Sequence, residues 1–358
     1  MNNHNHTADA YTHGLAQLMK LYRQNAFQSF ISSTPDMLMP VESPQSLFAG
    51  LTEFPYEVFT QLIIADLLFK DKPELEIGSN LVREIKSFQR DDGIFNFFNN
   101  DTLLPADIDC TAIGQSVLVE MGKGDLHIAH QVVDKILDTV NEDGIIKVYF
   151  PPCGHRHYVD PVVCVNALYL IALLGREKES LKTEQYIFEY LHSQAYLEGT
   201  RYYPSPDIFL YFLARLVNTF PYFRKRYAHQ LKEALQTRIG TSKSPLDLAA
   251  RVITAKVLGV SNGFEEHKLV LLQKNSQGWP ADAFFKFGTR YGFFGCNALT
   301  TAFATRALET RPLYEQFLSR YGYVSNYQPY YDETLIGETI NVRVKNNGTT
   351  IERVPAVF

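Results

Sequence analysis

Two aspartates at the start of an apolar segment have the types and spacing for acid chemistry. The segment reads Asp107-Ile108-Asp109-Cys110-Thr111-Ala112, and the apolar residues after it recur at helical spacing, which puts both carboxyls in a first helical turn. Two close carboxyls resist ionising together, so one proton tends to be retained. We therefore predict that Asp109 donates a proton, that Asp107 supports it, and that the Cys110 thiol hydrogen-bonds the acid. The alternative is that either aspartate only caps the helix.

An acid of this kind could protonate a carbon–carbon double bond. Such a bond is a very weak base, so the acid must be neutral, desolvated and held in contact with it. The run resembles the Asp-x-Asp-(Asp/Cys)-Thr-Ala motif of class II terpene cyclases, in which the middle aspartate, here Asp109, is the acid. Cys110 replaces the usual fourth-position aspartate and resembles the cysteine that follows the acid in sterol-forming oxidosqualene cyclases.

Composition favours a large apolar core and a small-molecule ligand. Hydrophobic residues make up 46% of the 358 residues and aromatic residues 13%, with 25 Phe, 21 Tyr and one Trp. The net charge of −5 and the lack of a basic stretch argue against nucleic acid as a partner. The polar amino terminus lacks an apolar signal core, and Cys110, Cys153, Cys164 and Cys296 are expected to be free thiols. We expect a cytoplasmic protein without an obligate protein partner, for which transient membrane contact remains open.

A repeat of apolar helices indicates the architecture. These helices start near residues 56, 109, 160, 207, 247 and 295, and two of them are predicted over 161–174 and 297–308. Each follows a more charged amphipathic helix, predicted over 11–30, 76–89, 126–140, 180–192, 222–237 and 264–274. Six outer–inner pairs predict an all-α fold, a single (α/α)6 barrel over residues 1–320. Class II cyclases resemble this architecture, although the triterpene enzymes pair two helical domains.

Two further patterns concern turns and the carboxyl end. The stretch from Gln89 to Phe95 resembles the Gln-x-x-x-Gly-x-Trp motif of triterpene cyclases with Phe for Trp, and Asn141–Ile145 and Gln277–Trp279 resemble parts of it. These turns either stabilise the barrel or are ordinary Asp-Gly and Gln-Gly turns. Alternating apolar residues around Asn347-Gly348 predict a β-hairpin. We expect it in a carboxyl-terminal extension, residues 321–358, packed on the barrel as a lid or a terminal staple.

The loops that enter the inner helices are rich in aromatic residues. Inner helices that run the same way gather these loops at one end of the barrel, together with Asp109. The loop aromatics are Phe95, Phe97, Phe98, Tyr158, Tyr202, Tyr203, Trp279, Phe284, Phe285, Phe287, Tyr291, Phe293 and Phe294. As substrate-binding residues we predict Phe95, His157, Tyr158, Tyr202, Trp279, Phe284, Tyr291, Phe294 and Asn166. Tyr202, Asn166 and His157 are also candidates for the base that removes the last proton.

The loop Cys153-Gly154-His155-Arg156-His157-Tyr158 also carries polar groups. Its alternating Cys, His and His lack a distant fourth ligand and the usual zinc spacing, so we predict no metal site. Arg156 and His155 are the candidates for holding an anionic or phenolic head group, and a solvated loop is the alternative. The sequence also lacks an Asp-Asp-x-x-Asp motif, so no metal-assisted diphosphate ionisation and no cofactor are expected.

The size, the hybrid motif and the lack of a metal motif look most like bacterial meroterpenoid cyclases of the merosterolic acid synthase type. That resemblance implies an isomerase that converts a linear prenylated aromatic acid, such as geranylgeranyl-dihydroxybenzoate, into a fused polycycle. Cyclisation of a diterpene diphosphate or another polyprenyl compound is the alternative within the class. Other (α/α)6 enzymes would need separated carboxylates in a polar cleft or an Asp/Cys/His zinc set. A non-catalytic helical binding scaffold would need no buried acid.

Overall fold

The computed structural model describes residues 3–24, 27, 30–32, 56–72, 75–98, 104–273, 278–286, 292–309, 343–345 and 348–350. Within these ranges, twelve α-helices alternate between an outer and an inner layer. The outer helices are α1 (Asn3–Arg23), α3 (Glu76–Phe88), α5 (Leu126–Asp138), α7 (Leu181–His192), α9 (Pro221–Arg238) and α11 (Gly263–Leu271). The inner helices are α2 (Phe59–Ile64, continued by a π-helical turn Ala65–Phe69), α4 (Ile108–Glu120), α6 (Pro161–Leu173), α8 (Pro206–Thr219), α10 (Pro245–Leu258) and α12 (Asn297–Ala307).

The inner helices close into a ring. Each contacts the next one along the chain, and α12 contacts α2. Helix α6 is apolar on all sides and buried from Pro161 to Ala172, whereas α3 buries a single stripe that includes Ile77, Leu81 and Ile85. This difference between all-round and one-sided burial is what separates the two layers. The protein is therefore an (α/α)6 barrel, as predicted.

Side chains at the helix starts fix where the inner helices begin. Asp160, Ser205 and Ser244 cap α6, α8 and α10 through their side-chain oxygens, and a proline follows each cap. Proline suits the first helical position because its fixed φ matches the helix and its missing N–H has no partner there in any case. One outer helix separates each inner helix from the next, so the inner helices run the same way and their starts lie at the same end of the barrel.

Two turns between outer and inner helices share one geometry. Gly93 has φ of +82°, the Arg90 amide donates to the Ile94 carbonyl at 2.9 Å, and Gln89 and Phe95 form an antiparallel bridge. The second turn repeats these contacts, with Gly144 at φ of +78° and Asn141 bonded to Ile145. Gln115 on α4 donates to the Gly93 carbonyl at 2.6 Å. The first turn is therefore tied to the helix that carries Asp109.

A small sheet that the sequence did not predict joins distant parts of the barrel. Strand β1 (Phe30–Ser32) pairs antiparallel with β3 (Phe293–Gly295), and β3 pairs with β2 (Phe285–Lys286). One prediction is wrong for this reason. The first outer helix ends at Arg23 and does not extend to Phe30, because Phe30 pairs with Gly295 of β3. The last inner helix begins at Asn297, where it was predicted to begin.

The carboxyl-terminal segment contains the predicted hairpin. Strands β4 (Arg343–Lys345) and β5 (Gly348–Thr350) pair antiparallel. Residues 1–317 and 318–358 form two separate compact units. The four cysteines are free and buried. Among the described residues, no helix has the length and apolarity needed to cross a bilayer.

Candidate active site

Asp107 and Asp109 lie at the start of α4, at the end of the barrel where the inner helices begin. Asp107 caps the helix, since its Oδ1 accepts the Cys110 amide at 2.7 Å. Asp109 lies in the first turn and does not serve as the cap. Both residues are buried, with 5% and 7% of their surface exposed. The capping alternative therefore applies to Asp107, and the Asp109 carboxyl is left for other contacts.

Two side chains from later repeats hold the Asp109 carboxyl. Asn166 on α6 donates from Nδ2 to Oδ1 at 2.8 Å, and the Tyr203 hydroxyl, in the loop that enters α8, donates to Oδ2. Each carboxyl oxygen has two lone pairs. An acid proton can therefore occupy the second lone pair of either oxygen while both contacts are kept. We call Asn166 and Tyr203 the carboxyl clamp.

Burial determines the protonation of both acids. The pKa of Asp109 is raised from 3.8 to about 7, because burial and the charge of Asp107 raise it by more than hydrogen bonds from Tyr203 and Asn166 lower it. Burial also raises the pKa of Asp107, to about 6, against hydrogen bonds from Cys110. The positive end of α4 favours ionised carboxylates. Because both pKa values are raised, desolvation outweighs the helix end at this site.

The two acids line one pocket with mostly apolar and aromatic walls. The pocket contains about 450 Å³ of space not filled by protein atoms, part of it open to solvent. Its lining comes from α2, α4, α6, β2 and the loops that enter the helices. The lining residues are Phe59, Phe97, Leu104, Asp107, Asp109, Cys110, Val148, Tyr149, Val163, Tyr202, Tyr203 and Phe285.

Aromatic rings pack against one another around this pocket. Phe59 lies 6.1 Å from Phe97, 6.4 Å from Tyr203 and 5.6 Å from Phe285, measured between ring centroids. Phe284 packs behind them at 5.8 Å from Tyr203. Such contacts fix the ring faces relative to the two carboxyls. The pocket thus presents a neutral acid beside aromatic surfaces.

Tyrosine and arginine side chains occupy another side of the pocket. The Tyr202 hydroxyl donates to the Tyr149 hydroxyl at 3.2 Å. The Arg201 guanidinium stacks on the Tyr158 ring, 3.5 Å from its centroid, and its hydrogen bond to Tyr202 lowers the pKa of that phenol against the rise caused by burial. The Arg201 Nε is buried and has no hydrogen-bond partner among the described residues. Arg156 is close enough to Tyr149 to oppose the rise that burial causes in its pKa.

The structure places some of the predicted site residues in the pocket and others outside it. Asp107, Asp109, Cys110 and Tyr202 line the pocket, and Cys110 hydrogen-bonds Asp107 rather than Asp109. Asn166 holds the acid, and Phe284 and Phe294 pack behind the lining. Phe95 lies against Gly114, and Trp279 is buried with Nε1 donated to the Leu269 carbonyl. His155 and His157 are exposed, Arg156 and Tyr158 are half-buried, and Tyr291 lies outside the described residues.

Several residues at the site were not singled out from the sequence. Tyr203, Phe97 and Phe285 were recognised as loop aromatics only, and Phe59, Tyr149 and Arg201 carried no motif. The adjacent residues Tyr202 and Tyr203 could have indicated two different contacts, because neighbouring side chains in an extended loop point to opposite sides. One of the two reaches the acid and the other reaches Tyr149.

Sequence comparison links this chain to terpene cyclases. Residues 50–173 match the family described as "Sesquiterpene cyclase astC-like C-terminal domain". The chain is 33% identical over 227 residues to the drimenol cyclase drtB of Aspergillus calidoustus. That match covers 61% of this chain and 42% of the fungal protein. The chain therefore spans less than half the length of the curated relative it matches.

Solved structures share the fold at low sequence identity. The type II terpene cyclase MstE from Scytonema, in complex with its substrate geranylgeranyl dihydroxybenzoate, superposes with a TM-score of 0.59 at 11% identity over 85% of this chain and 97% of that one. A protein from Actinoplanes gives 0.57 at 16% identity, over 84% of this chain and 98% of that one. The ent-copalyl diphosphate synthase of Streptomyces platensis gives 0.51 at 14% identity, over 72% and 50%. Residues 50–173 are therefore similar to the AstC-like terpene cyclase family, and the chain has the fold of the type II terpene cyclases.

Proposed function

We propose that this protein is a class II terpene cyclase, an isomerase that starts cyclisation of a linear polyprenyl substrate by protonating a double bond. The observation that carries the proposal is the Asp109 carboxyl, which is buried, shifted towards its neutral form and held by the carboxyl clamp beside an aromatic pocket. A binding scaffold would gain nothing from burying two carboxyls, since burial without a paired charge is costly.

The first step moves one proton. The Asp109 O–H bond breaks as a C–H bond forms on the terminal double bond, which leaves a tertiary carbocation and the Asp109 carboxylate. Asn166 and Tyr203 donate to the two oxygens of that carboxylate and stabilise it. These contacts strengthen as negative charge appears, so they favour the transition state over the resting acid.

The pocket walls suit the cation that follows. Each later double bond attacks the cation before it, so positive charge moves along the folded chain past the aromatic rings. Rings such as Phe59, Phe97 and Phe285 stabilise a cation by about 0.5–2 kcal/mol each, and they are not nucleophiles under these conditions. A fixed apolar shape also holds the reacting carbons adjacent before the reaction, which removes several kcal/mol of its barrier.

Two kinds of substrate are supported. The sesquiterpene cyclase family match and the drimenol cyclase favour a substrate of sesquiterpene length. The fold of MstE, whose substrate is geranylgeranyl dihydroxybenzoate, supports the prenylated aromatic acid predicted from the sequence. Both would place a polar or anionic head group at the pocket. We propose that Arg156 and Arg201 bind it, with His155 in the same loop, because no carboxylate lies within ion-pair distance of either arginine among the described residues.

We also propose that the enzyme works in the cytoplasm. The four free thiols support this location, since reducing compartments keep cysteines unpaired. Transient contact with a membrane would supply an apolar substrate, and no protein partner is required by the mechanism.

The test incubates wild type and Asp109→Asn with farnesyl diphosphate and with geranylgeranyl-dihydroxybenzoate, without added metal, in D2O. We expect wild type to form a cyclic product with one solvent deuterium at the protonated carbon, and the variant to lose at least 100-fold in rate, the lower range for removing a general acid. Asp125→Asn is the matched control, because Asp125 caps outer helix α5 away from the pocket. Products are identified by mass spectrometry and NMR.

Other outcomes have definite meanings. Equal cyclisation by wild type and Asp109→Asn would remove Asp109 from the role of acid. Turnover of farnesyl diphosphate alone would exclude the prenylated aromatic acid as the substrate, and the reverse would exclude the sesquiterpene precursor. Tight binding of a substrate without conversion would favour the helical scaffold.

A further inference from the structure

Asp109 has to regain a proton after every turnover. The first step leaves it as a carboxylate, and the last proton leaves the substrate from a different carbon. The carboxyl clamp is unsuited to supply the proton. The Asn166 amide is not an acid, and Phe59, Phe212 and Phe284 pack around the ring of Tyr203, whose hydroxyl is already donated to Asp109. The proton must therefore come from another group that lines the pocket.

Asp107 has an oxygen suited to this purpose. Its Oδ1 is occupied by the Cys110 amide, whereas its Oδ2 is buried and has no hydrogen-bond partner among the described residues. The carboxyl lines the same pocket as Asp109 and interacts with it electrostatically. Since the pKa is about 6 for Asp107 and about 7 for Asp109, a proton shared between them rests more often on Asp109.

Two phenols lead from Asp107 towards the pocket opening. Tyr149 and Asp107 are partners in an antiparallel backbone bridge, and both line the pocket. The Tyr202 hydroxyl donates to the Tyr149 hydroxyl at 3.2 Å, which leaves the Tyr149 proton to be donated onward. Tyr202 is half-buried and lies beside Arg201. The two hydroxyls therefore form a hydrogen-bonded pair that lines the pocket together with Asp107.

We propose that Tyr202, Tyr149 and Asp107 form a relay that returns a proton to Asp109 after each cyclisation. Asp107 takes the Tyr149 proton as Tyr149 takes that of Tyr202, and Tyr202 takes one from solvent. Asp107 then passes the new proton to the Asp109 carboxylate. One O–H bond forms for each one that breaks, and neither phenol ionises. Asp107 and Tyr149 line the same pocket, and in the relay a pocket water bridges the carboxyl and the hydroxyl.

The relay rests on the proposed function and differs from a role in cyclisation itself. A relay acts between turnovers, so its loss leaves the first turnover of a protonated enzyme intact. A terminal base, a head-group contact or a structural residue acts within the first turnover. Measuring the first turnover and the steady state separately therefore distinguishes a relay from these other roles of Tyr149 and Tyr202.

The experiment compares wild type with Tyr149→Phe, Tyr202→Phe and the double variant by rapid quench, first with enzyme in excess and then with substrate in excess. For each variant we expect a burst of one product per enzyme, followed by a steady-state rate about tenfold or more below the first-turnover rate of the same variant. Tyr211→Phe is the matched control, since its hydroxyl is also buried in the barrel but does not line the pocket. A parallel fall in both regimes, an altered product or unchanged rates would each overturn the relay.

A measurement without substrate tests the relay independently of the proposed function. Protonated carboxyls have a separate infrared C=O band, which shifts when deuterium replaces the proton, and Asp109→Asn assigns it. After rapid transfer to D2O, we expect this exchange to slow in the double phenylalanine variant. If wild type turns over no polyprenyl substrate, the proposed function fails, and unchanged exchange would then reject the relay on its own.

Discussion

Asp109 differs from other aspartates at helix starts in the groups that donate hydrogen bonds to its carboxyl. Asp125 and Asp160 accept backbone amides from the helices that they cap. Asp109 instead accepts side-chain hydrogen bonds from Asn166 and Tyr203, which follow it by 57 and 94 residues. The motif in the sequence predicts Asp109 as the acid. The carboxyl clamp could not be predicted, because nothing local relates Asp109 to a tyrosine two repeats later.

The state of Asp109 predicts how cyclisation depends on pH. The acid works only when it is protonated, and its pKa is raised to about 7. We therefore expect the first-turnover rate constant to be constant at low pH and to fall about tenfold per pH unit well above pH 7. Rapid-quench measurements from pH 5 to 9 check this. A rate that stays flat to pH 9 would contradict a protonated Asp109 as the starting acid.

The same shift predicts how stability depends on pH. The folded protein holds the Asp109 proton up to about pH 7, whereas the unfolded chain releases it near 3.8. The stabilisation is complete below the unfolded pKa and is lost as pH rises through the folded one. For a shift of this size the loss corresponds to roughly 3 kcal/mol between pH 4 and pH 7. Urea unfolding at pH 5, 6 and 7 should show a larger loss for wild type and Asp125→Asn than for Asp109→Asn, in which the raised pKa of Asp107 still contributes.

At the scale of elements, local signals predicted the helices well and long-range pairing poorly. Caps followed by proline place the starts of α6, α8 and α10 close to their predicted positions. Helix α1 begins at Asn3 rather than residue 11, because its polar first turns carry no apolar periodicity. Strands β1 and β3 were missed, since two short Phe-containing segments more than 250 residues apart contain nothing that relates them. The β4–β5 hairpin was predictable because its turn is local.

A buried ion network ties three elements together on the other side of the ring. Arg251 on α10 contacts Asp207 on α8 at 2.6 Å and Glu265 on α11 at 2.7 Å, and the three side chains are fully buried. Arg251→Met would leave buried carboxylates short of a positive partner. We expect it to lower the free energy of unfolding by about 3–5 kcal/mol, as for other broken buried pairs.

The control for this prediction is Arg176→Met. Arg176 pairs with Asp134 and Glu179, whose side chains are 62% and 48% exposed, so its loss should cost less than about 1 kcal/mol. Chemical denaturation of both variants gives the comparison. Equal losses would mean that the buried network contributes no more than a surface pair.

At the scale of the whole barrel, the first and last helices meet at a seam. Outer helix α1 packs on inner helix α12, so residues from the two ends of the ring are in contact. A Cβ on Gly14 would lie 2.3 Å from Thr305 Oγ1 and 3.3 Å from the Trp279 ring. Glycine at this position lets the two helices approach. The repeat in the sequence predicted the ring, but not this contact.

Gly14→Ala should weaken the seam. We expect a loss of about 1–3 kcal/mol in the free energy of unfolding, the usual cost of overpacking a close contact. Gly263→Ala at the start of α11 is the matched control, since its Cβ would meet no atom within 4 Å. Denaturant unfolding compares the two variants. If Gly14→Ala were as stable as Gly263→Ala, the contact between α1 and α12 would accommodate the added methyl group without loss of stability.

The carboxyl clamp also sets the order in which the protein becomes reactive during synthesis. A nascent chain that has emerged only as far as α4 presents an aspartate exposed to water, with the acidity of any other aspartate. Asn166 arrives with α6, and Tyr203 arrives after it. On the proposed function, the acid that protonates the substrate is therefore completed late, when Asn166 and Tyr203 have both reached Asp109. A nascent or truncated chain that ends before residue 203 lacks half of the carboxyl clamp, together with the pocket wall that Phe285 provides.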